Sequence, residues 1–193
     1  FERIQDLISW CRDTSIEEVV LYAFSTENWN RSPEEVEYLM DIFEHSFSNT
    51  LAQIAENGIR VRFMGQLERF SLGLQQKMQK LQTESSTGTA GTLTVALSYG
   101  GRPEILAAVN KLLQEGKETV DEEGFSDALW SAGLRDPDLI LRTGGERRLS
   151  NFLPWQSVYS ELFFTDTKWP DFSKEEFNAV LAEYAERERR HGK

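Results

Sequence analysis

The chain has 193 residues, of which 39% are hydrophobic and 27% charged, as in a folded globular protein, and this length suits one domain over residues 1–193. Its 32 acidic and 21 basic residues give a formal charge of −11, which argues against nucleic-acid binding because that requires a broad basic face. The chain has a single cysteine, so it cannot form an internal disulfide. With only two histidines, a zinc site or a Ser-His-Asp triad has little basis. No apolar run reaches the roughly 18 residues that a membrane span needs.

The predicted elements alternate between helices and short strands. Apolar residues at helical spacing over positions 1–11 predict a first helix. Five runs rich in β-branched and aromatic residues predict strands at 17–25 (EEVVLYAFS), 59–65 (IRVRFMG), 93–101 (LTVALSYGG), 137–145 (PDLILRTGG) and 160–167 (SELFFTDT). Further helices are predicted near 69–84, 103–115, 122–132 and 174–190. This alternation is typical of an α/β fold with a mostly parallel central sheet flanked by helices.

The clearest helix follows the first strand. Ser32 is suited to the N-cap, Pro33 to the first helical position, and Glu35 to closing a capping box. Apolar residues from Val36 to Ile54 share one face, and Asn57-Gly58 predicts the end. The predicted helix is therefore long, at about seven turns.

Each predicted strand ends in a polar or glycine-rich cluster. The clusters read FSTENWNR, GQ, SYGGR, RTGGERR and TDTKW in chain order. The carboxyl ends of parallel strands emerge at the same edge of a sheet, where open α/β sheets hold their ligands. We therefore expect the clusters to converge.

The cluster after the fourth strand contains three arginines, Arg142, Arg147 and Arg148. Guanidinium groups offer planar forks of donors that suit phosphate oxygens. Gly144-Gly145 would let the backbone approach a ligand closely, and Ser150 adds a hydroxyl. On composition alone, a surface turn with solvated arginines explains this cluster equally well.

The cluster after the first strand, AFSTENWNR (23–31), places several polar side chains and Trp29 on a loop. A tryptophan in such a loop either covers the core or contacts a ligand. The apolar face of the next helix is either ordinary core or the wall of an elongated hydrophobic cleft. The residues alone leave these alternatives open.

Three blocks of the sequence resemble signature blocks of the cis-prenyltransferases, most closely the bacterial undecaprenyl diphosphate synthases. They are YAFSTENWNRSPEEV, LTVALSYGGRPEIL and DPDLILRTGGERRLSNFLPWQSVYSELFFTDTKWPDF, and the similarity extends over essentially the whole chain. The resemblance implies an enzyme that condenses isopentenyl diphosphate repeatedly onto an allylic diphosphate such as farnesyl diphosphate, forming Z double bonds. The implied product is a polyprenyl diphosphate such as undecaprenyl diphosphate, the lipid carrier precursor for cell-wall synthesis. The growing chain would occupy a hydrophobic tunnel between the sheet and the long helices.

The resemblance also implies roles for individual residues. Asn28 would be catalytic, Glu35 would be the hinge between a mobile loop and the long helix, and Glu161 would hold Mg²⁺ at the isopentenyl diphosphate site. The implied substrate-binding residues are Ser25, Trp29, Arg31, Arg142, Arg148 and Ser150. A homodimer in the cytoplasm, with peripheral membrane contact through its lipid product, would match the family.

Two absent motifs bear on the family assignment, and two alternative functions remain. The chain has no D-D-x-x-D motif, which disfavours the trans-prenyltransferases because they clamp Mg²⁺ between two such motifs. The family's Asp-Gly-Asn-Gly-Arg-Trp block, which supplies the catalytic aspartate, would lie upstream of Phe1, and we expect the native protein to include it. The alternative function is a non-catalytic partner subunit of a heteromeric cis-prenyltransferase, although such subunits typically lack the STENWNR pattern. A nucleotide-binding domain ranks last because neither G-x-x-x-x-G-K-[ST] nor G-x-G-x-x-G occurs.

Overall fold

In the computed structural model, which describes residues 2–187, helices and strands alternate along the chain as the sequence patterns predicted. The chain divides into two compact units between Glu104 and Ile105. The first unit contains α1 (Glu2–Asp13), β1 (Glu18–Ser25), α2 (Pro33–Ser48), α3 (Thr50–Glu56), β2 (Ile59–Met64), α4 (Leu72–Glu84) and β3 (Gly91–Tyr99). Helix α5 (Gly101–Gln114) runs across the division, and the second unit continues with α6 (Glu122–Ser126), β4 (Leu139–Arg142), β5 (Glu161–Phe164) and α7 (Lys174–Glu186). Phe1 and positions 188–190 of the last predicted helix lie outside the described residues.

Every strand pair is parallel, which confirms the predicted α/β class. The first unit holds a three-stranded sheet in the order β1-β3-β2, and the second unit holds the pair β4-β5. The central strand β3 is buried from Leu93 to Tyr99, and it pairs with β1 along one edge and with β2 along the other. None of the helices within residues 2–187 combines the length and apolarity needed to cross a membrane.

Side chains of α4 and its C-cap cover the outer edge of β2. The hydroxyl oxygen of Ser85 accepts a hydrogen bond from Val61 N at 3.0 Å, and Gln82 Oε1 accepts one from Phe63 N at 3.1 Å. An unpaired strand edge is a template for pairing with another chain. These two side chains therefore satisfy backbone donors that no strand within residues 2–187 reaches.

The predicted seven-turn helix is interrupted. Helix α2 ends at Ser48 and α3 begins at Thr50, with Asn49 between them at φ −120° and ψ −77°. Asn and Thr side chains bond nearby backbone groups in non-helical conformations, so Asn49 and Thr50 weaken the helix at this point. The prediction of one continuous helix was therefore wrong at Asn49.

An aromatic cluster fills the space between β1 and α2. Phe24, Phe43, Phe47 and Phe70 are all buried, and the Phe24 ring lies edge-on to Phe43 at a centroid distance of 5.7 Å. Edge-to-face aromatic pairs of this kind stabilise a core by about 0.5–1.5 kcal/mol beyond their buried area. Phe43 and Phe47 on the apolar face of α2 are thus core residues in this structure, and the tunnel stays a prediction.

Cys11 is buried in α1, and burial raises the pKa of its thiol to about 12. Because the thiolate is the reactive form, we expect native protein to resist modification by a disulfide reagent at mildly alkaline pH. The same protein unfolded in urea should react at the rate of a free thiol. Fast modification under native conditions would contradict this expectation.

Candidate functional site

Three of the predicted substrate-binding residues meet just after β4. Arg142 donates from Nη1 to Ser150 Oγ at 2.7 Å and to the carbonyl oxygen of Arg148 at 2.5 Å. Arg148 Nε donates to the same Ser150 hydroxyl at 3.2 Å, and its guanidinium also forms an ion pair with Glu146. Two guanidinium groups therefore share one hydroxyl, in an exposed position where an anionic ligand could replace Glu146.

The backbone of this cluster requires unusual dihedral angles. Gly144 and Gly145 have φ of 91° and 83°, and Ser150 and Asn151 follow at 48° and 66°. A Cβ at Gly144 would meet no heavy atom within 4 Å, so the conformation and not the available space calls for glycine there. Non-glycine residues with left-handed backbone concentrate at functional sites, where surrounding structure holds them in place.

The polar clusters after β4 and β5 come together, as predicted for neighbouring parallel strands. Gly144 N donates to the carbonyl oxygen of Thr167, and Gly145 N donates to that of Thr165, each at 2.9 Å. The Thr167 hydroxyl in turn donates to Glu176 Oε1 at 2.5 Å, and this bond is the largest cause of a lowered pKa for the Glu176 carboxyl. The glycine turn is thus held through Thr165 and Thr167 to the start of α7.

Glu161, the predicted Mg²⁺ ligand, begins β5 and pairs with Arg187. Arg187 Nη1 donates to Glu161 Oε2 at 2.5 Å, Nη2 donates to Glu183 Oε1 at 2.6 Å, and the guanidinium carbon lies 4.1 Å from the centroid of the Phe163 ring. The bond to Glu161 is the largest cause of a raised pKa for Arg187. No sequence pattern indicates this contact, because the two residues lie 26 positions apart with no shared motif.

The described residues contain no group of three or more His, Cys, Asp or Glu side chains placed to hold a metal ion. Proteins, however, commonly bind Mg²⁺ through one or two carboxylates together with substrate phosphates. Glu161 fits such a role as a single carboxylate donor, provided that Arg187 releases it.

In the first unit, the predicted loop residues form a short 3₁₀ turn over Thr26–Asn30. Asn28 Oδ1 accepts a hydrogen bond from Ser25 N at 2.8 Å, which ties the two predicted residues together. Arg31 Nη1 lies 3.9 Å from Glu35 Oε1. At the start of α2 the predicted capping box is confirmed, since Ser32 and Glu35 exchange side-chain to backbone hydrogen bonds of 3.3 Å.

Trp29 packs against the aromatic cluster and also makes a polar contact. Its ring centroid lies 5.0 Å from that of Phe24 and 5.4 Å from that of Phe70, with the Arg69 guanidinium carbon 4.6 Å above it. Its Nε1 donates to Ser98 Oγ at 2.8 Å. Trp29 therefore covers the core in this structure, which was one of the two alternatives. No sequence pattern indicated its partner Ser98.

The structure thus gathers the predicted site residues into two groups. The first unit brings together Ser25, Asn28, Trp29, Arg31 and Glu35, and the second unit brings together Arg142, Arg148 and Ser150, with Glu161 on the adjoining strand. Convergence of the two groups, and the binding role of each residue, stay predictions.

Comparison with known proteins gives one consistent result. The family whose model is described as "Putative undecaprenyl diphosphate synthase" matches residues 1–192. The isoprenyl transferase of Chromobacterium violaceum is 41% identical over 192 residues, covering 100% of this chain and 76% of that protein. The isoprenyl transferase of Aquifex aeolicus is 43% identical, covering 100% of this chain and 83% of that protein. The solved structure of a probable undecaprenyl diphosphate synthase from Campylobacter jejuni matches with a TM-score of 0.90 at 33% identity, covering 100% of this chain and 91% of that one.

Proposed function

The chain belongs to the undecaprenyl diphosphate synthase family of prenyltransferases, and on that premise we propose that it condenses isopentenyl diphosphate with an allylic diphosphate in cis. The family resemblance of the three sequence blocks is thereby confirmed. The observation that carries the proposal is the meeting of Arg142 and Arg148 on the Ser150 hydroxyl, in a chain that matches the family over residues 1–192. The relatives' names as transferases disfavour the alternative of a non-catalytic partner subunit.

The arginine cluster suits the diphosphate of isopentenyl diphosphate. Arg142 and Arg148 present donors on one side of the cluster, and charge-assisted hydrogen bonds from guanidinium to phosphate are about twice as strong as neutral ones. The exposed Glu146 would give up its partner at little cost, because exposed ion pairs contribute only about 0–1 kcal/mol. Ser150, already an acceptor for both arginines, fixes the angle between their forks.

Chain elongation requires diphosphate to leave the allylic carbon as the new carbon-carbon bond forms. Mg²⁺, when bound, would supply positive charge to that leaving group. Glu161 would contribute one oxygen to the ion, and Asn28 and Arg31 on the loop after β1 would orient the two substrates. The arginines provide positive charge that needs no rearrangement during the reaction.

The finer features of the proposal follow the family. We infer farnesyl diphosphate as the allylic substrate and undecaprenyl diphosphate, a lipid carrier precursor for the cell wall, as the product. Burial of the growing chain would contribute about 0.8 kcal/mol for each CH₂. We further infer that the two units form one catalytic domain, that the enzyme works as a cytoplasmic homodimer, and that it touches the membrane only peripherally.

Incorporation of radiolabelled isopentenyl diphosphate tests the proposal. The chain is extended upstream of Phe1 by a segment carrying the Asp-Gly-Asn-Gly-Arg-Trp block and is incubated with Mg²⁺ and farnesyl diphosphate. The extracted products are dephosphorylated and sized by chromatography. We expect labelled chains longer than farnesol, and none when farnesyl diphosphate is left out. Failure to extend dimethylallyl, geranyl, farnesyl and geranylgeranyl diphosphates alike would overturn the proposal.

The Mg²⁺ role of Glu161 gives a separate prediction. Glu161→Gln should raise the Mg²⁺ concentration needed for half-maximal incorporation about tenfold, because a neutral amide replaces a carboxylate donor. Glu183→Gln is the matched control, since Glu183 bonds the same Arg187 but lies outside the proposed ion site. An equal shift in both variants would mean that the effect comes from releasing Arg187 and not from losing a ligand.

A further inference from the structure

In the block LTVALSYGG, Ser98 has a left-handed backbone conformation that is unusual for a buried strand residue. Ser98 lies near the end of β3, is 0% exposed and has φ of 48°. The pairing of β1 with β3 shifts register at this point: Phe24 pairs with Leu97 and Ser25 pairs with Tyr99, so that Ser98 has no partner on β1. Register shifts of this kind re-aim side chains and are common beside active sites.

Two polar atoms of Ser98 tie separate segments to the end of β3. Its carbonyl oxygen accepts a hydrogen bond from Gln66 N at 3.2 Å, and its hydroxyl oxygen accepts one from Trp29 Nε1 at 2.8 Å. The next residue is held independently, because the Tyr99 hydroxyl donates to the buried Glu104 at 2.5 Å. The surrounding structure therefore fixes the left-handed backbone that directs the Ser98 hydroxyl.

The bond to Ser98 differs in kind from the other contacts of Trp29. Ring contacts with Phe24 and Phe70 tolerate sliding and rotation, whereas a hydrogen bond weakens steeply when its angle changes. An indole has a single N–H donor, and in Trp29 that donor points to Ser98. Trp29 is also the fourth residue of the five-residue turn Thr26–Asn30, so holding its ring fixes the turn.

We propose that Ser98 is a positioning residue for the loop Thr26–Arg31, acting through Trp29. The hydroxyl of Ser98 holds the indole at one point and one angle, and this places Asn28 and Arg31 for the substrates. The inference rests on the proposed function, in which this loop orients two diphosphates. It assigns a role to the second signature block, whose residues had none.

The test compares Ser98→Ala and Ser98→Gly with the control Thr94→Val. Both Ser98 variants remove the acceptor, but only glycine also relieves the left-handed backbone. Thr94 lies on the same strand, is 1% exposed, and has a hydroxyl with no hydrogen-bond partner among residues 2–187, so the control removes a buried hydroxyl without touching Trp29. Three quantities are measured without and with substrates on the chain extended by the upstream Asp-Gly-Asn-Gly-Arg-Trp block: the indole N–H resonance of Trp29, assigned by its loss in Trp29→Phe; amide exchange over Thr26–Arg31; and the kinetics of isopentenyl diphosphate incorporation.

We expect both Ser98 variants to shift the Trp29 resonance and to speed amide exchange over the loop about fivefold to tenfold, the effect of losing one neutral hydrogen bond. We expect kcat to fall about tenfold with a smaller change in KM, since misplaced groups slow a bound reaction more than they weaken binding. The Thr94→Val protein should match the wild type in all three quantities.

Three results would overturn the inference: an unchanged Trp29 resonance in Ser98→Ala, wild-type behaviour of Ser98→Gly, or faster loop exchange with unaltered turnover. The second would mean that the backbone conformation matters and the hydroxyl does not. If the wild type itself transfers no prenyl group, the proposed function fails, and the resonance and exchange measurements still decide whether Ser98 holds the loop.

Discussion

Replacing Arg142 with alanine should lower kcat/KM for isopentenyl diphosphate about 100-fold, since truncating one partner of a charge-assisted contact costs about 2–5 kcal/mol. Arg142 holds both the Ser150 hydroxyl and the Arg148 carbonyl, so its loss removes one phosphate-binding fork and loosens the second. The measurement is steady-state incorporation of labelled isopentenyl diphosphate at saturating farnesyl diphosphate.

Arg147→Ala is the matched control for this prediction. Arg147 is exposed, lies near Arg142 in the chain and carries the same charge. It differs from Arg142 because the hydrogen bonds to the Ser150 hydroxyl come from Arg142 and Arg148. We expect the kcat/KM of Arg147→Ala to stay within about threefold of the wild-type value, because an exposed charge that makes no direct contact with the substrate attracts it only through solvent and salt screening. Equal losses in the two variants would assign the effect to overall charge and would remove the special role of Arg142.

Replacing Gly65 with alanine should destabilise the first unit by about 3 kcal/mol or more. A Cβ at Gly65 would lie 1.9 Å from the carbonyl oxygen of Leu97, and the residue has φ of 125°. The obstructing atom belongs to the backbone of the central strand β3, so it cannot turn aside as a side chain would. The free energy of unfolding in urea, followed by circular dichroism, gives the measurement.

Gly73→Ala is the control for the same substitution in a different setting. Gly73 lies in the first turn of α4, and a Cβ there would meet nothing within 4 Å. Because alanine favours helix over glycine, we expect a gain of about 0.5–1 kcal/mol. A Gly65→Ala protein as stable as the wild type would mean that β3 shifts more easily than its buried position indicates.

Local patterns in the sequence were sufficient to locate the elements but not to describe how they join. The β-branched and aromatic runs gave all five strands, and the Ser32 cap gave the start of α2. The break at Asn49 was missed because the apolar stripe continues through it at helical spacing, so periodicity carries no sign of the interruption. The parallel direction of the strands was predicted, whereas their order, β1-β3-β2 and β4-β5, depends on contacts between distant segments that local patterns do not report.

The candidate site shows the same limit. Arg142, Arg148 and Ser150 were predicted from one short block, and they do meet. Ser98 and Arg187 were not predicted, because each acts on a residue far away in the chain: Trp29 is 69 positions from Ser98, and Glu161 is 26 positions from Arg187. Sequence patterns report a residue's neighbours along the chain, whereas these two contacts exist only after folding.

The order of strands in the first sheet has a consequence for how the protein is made. Strand β3 is the middle strand, yet it follows both of its neighbours in the chain, with Glu18 paired to Thr92 and Ile59 paired to Gly91. Closing such long loops costs chain entropy before any strand contact compensates for it, which slows folding. On the ribosome, β1 and β2 emerge before the strand that joins them, so the sheet cannot form until β3 has also left the exit tunnel. A fragment released before Tyr99 is synthesised would lack its complete central strand and would expose the edges of β1 and β2 to aggregation.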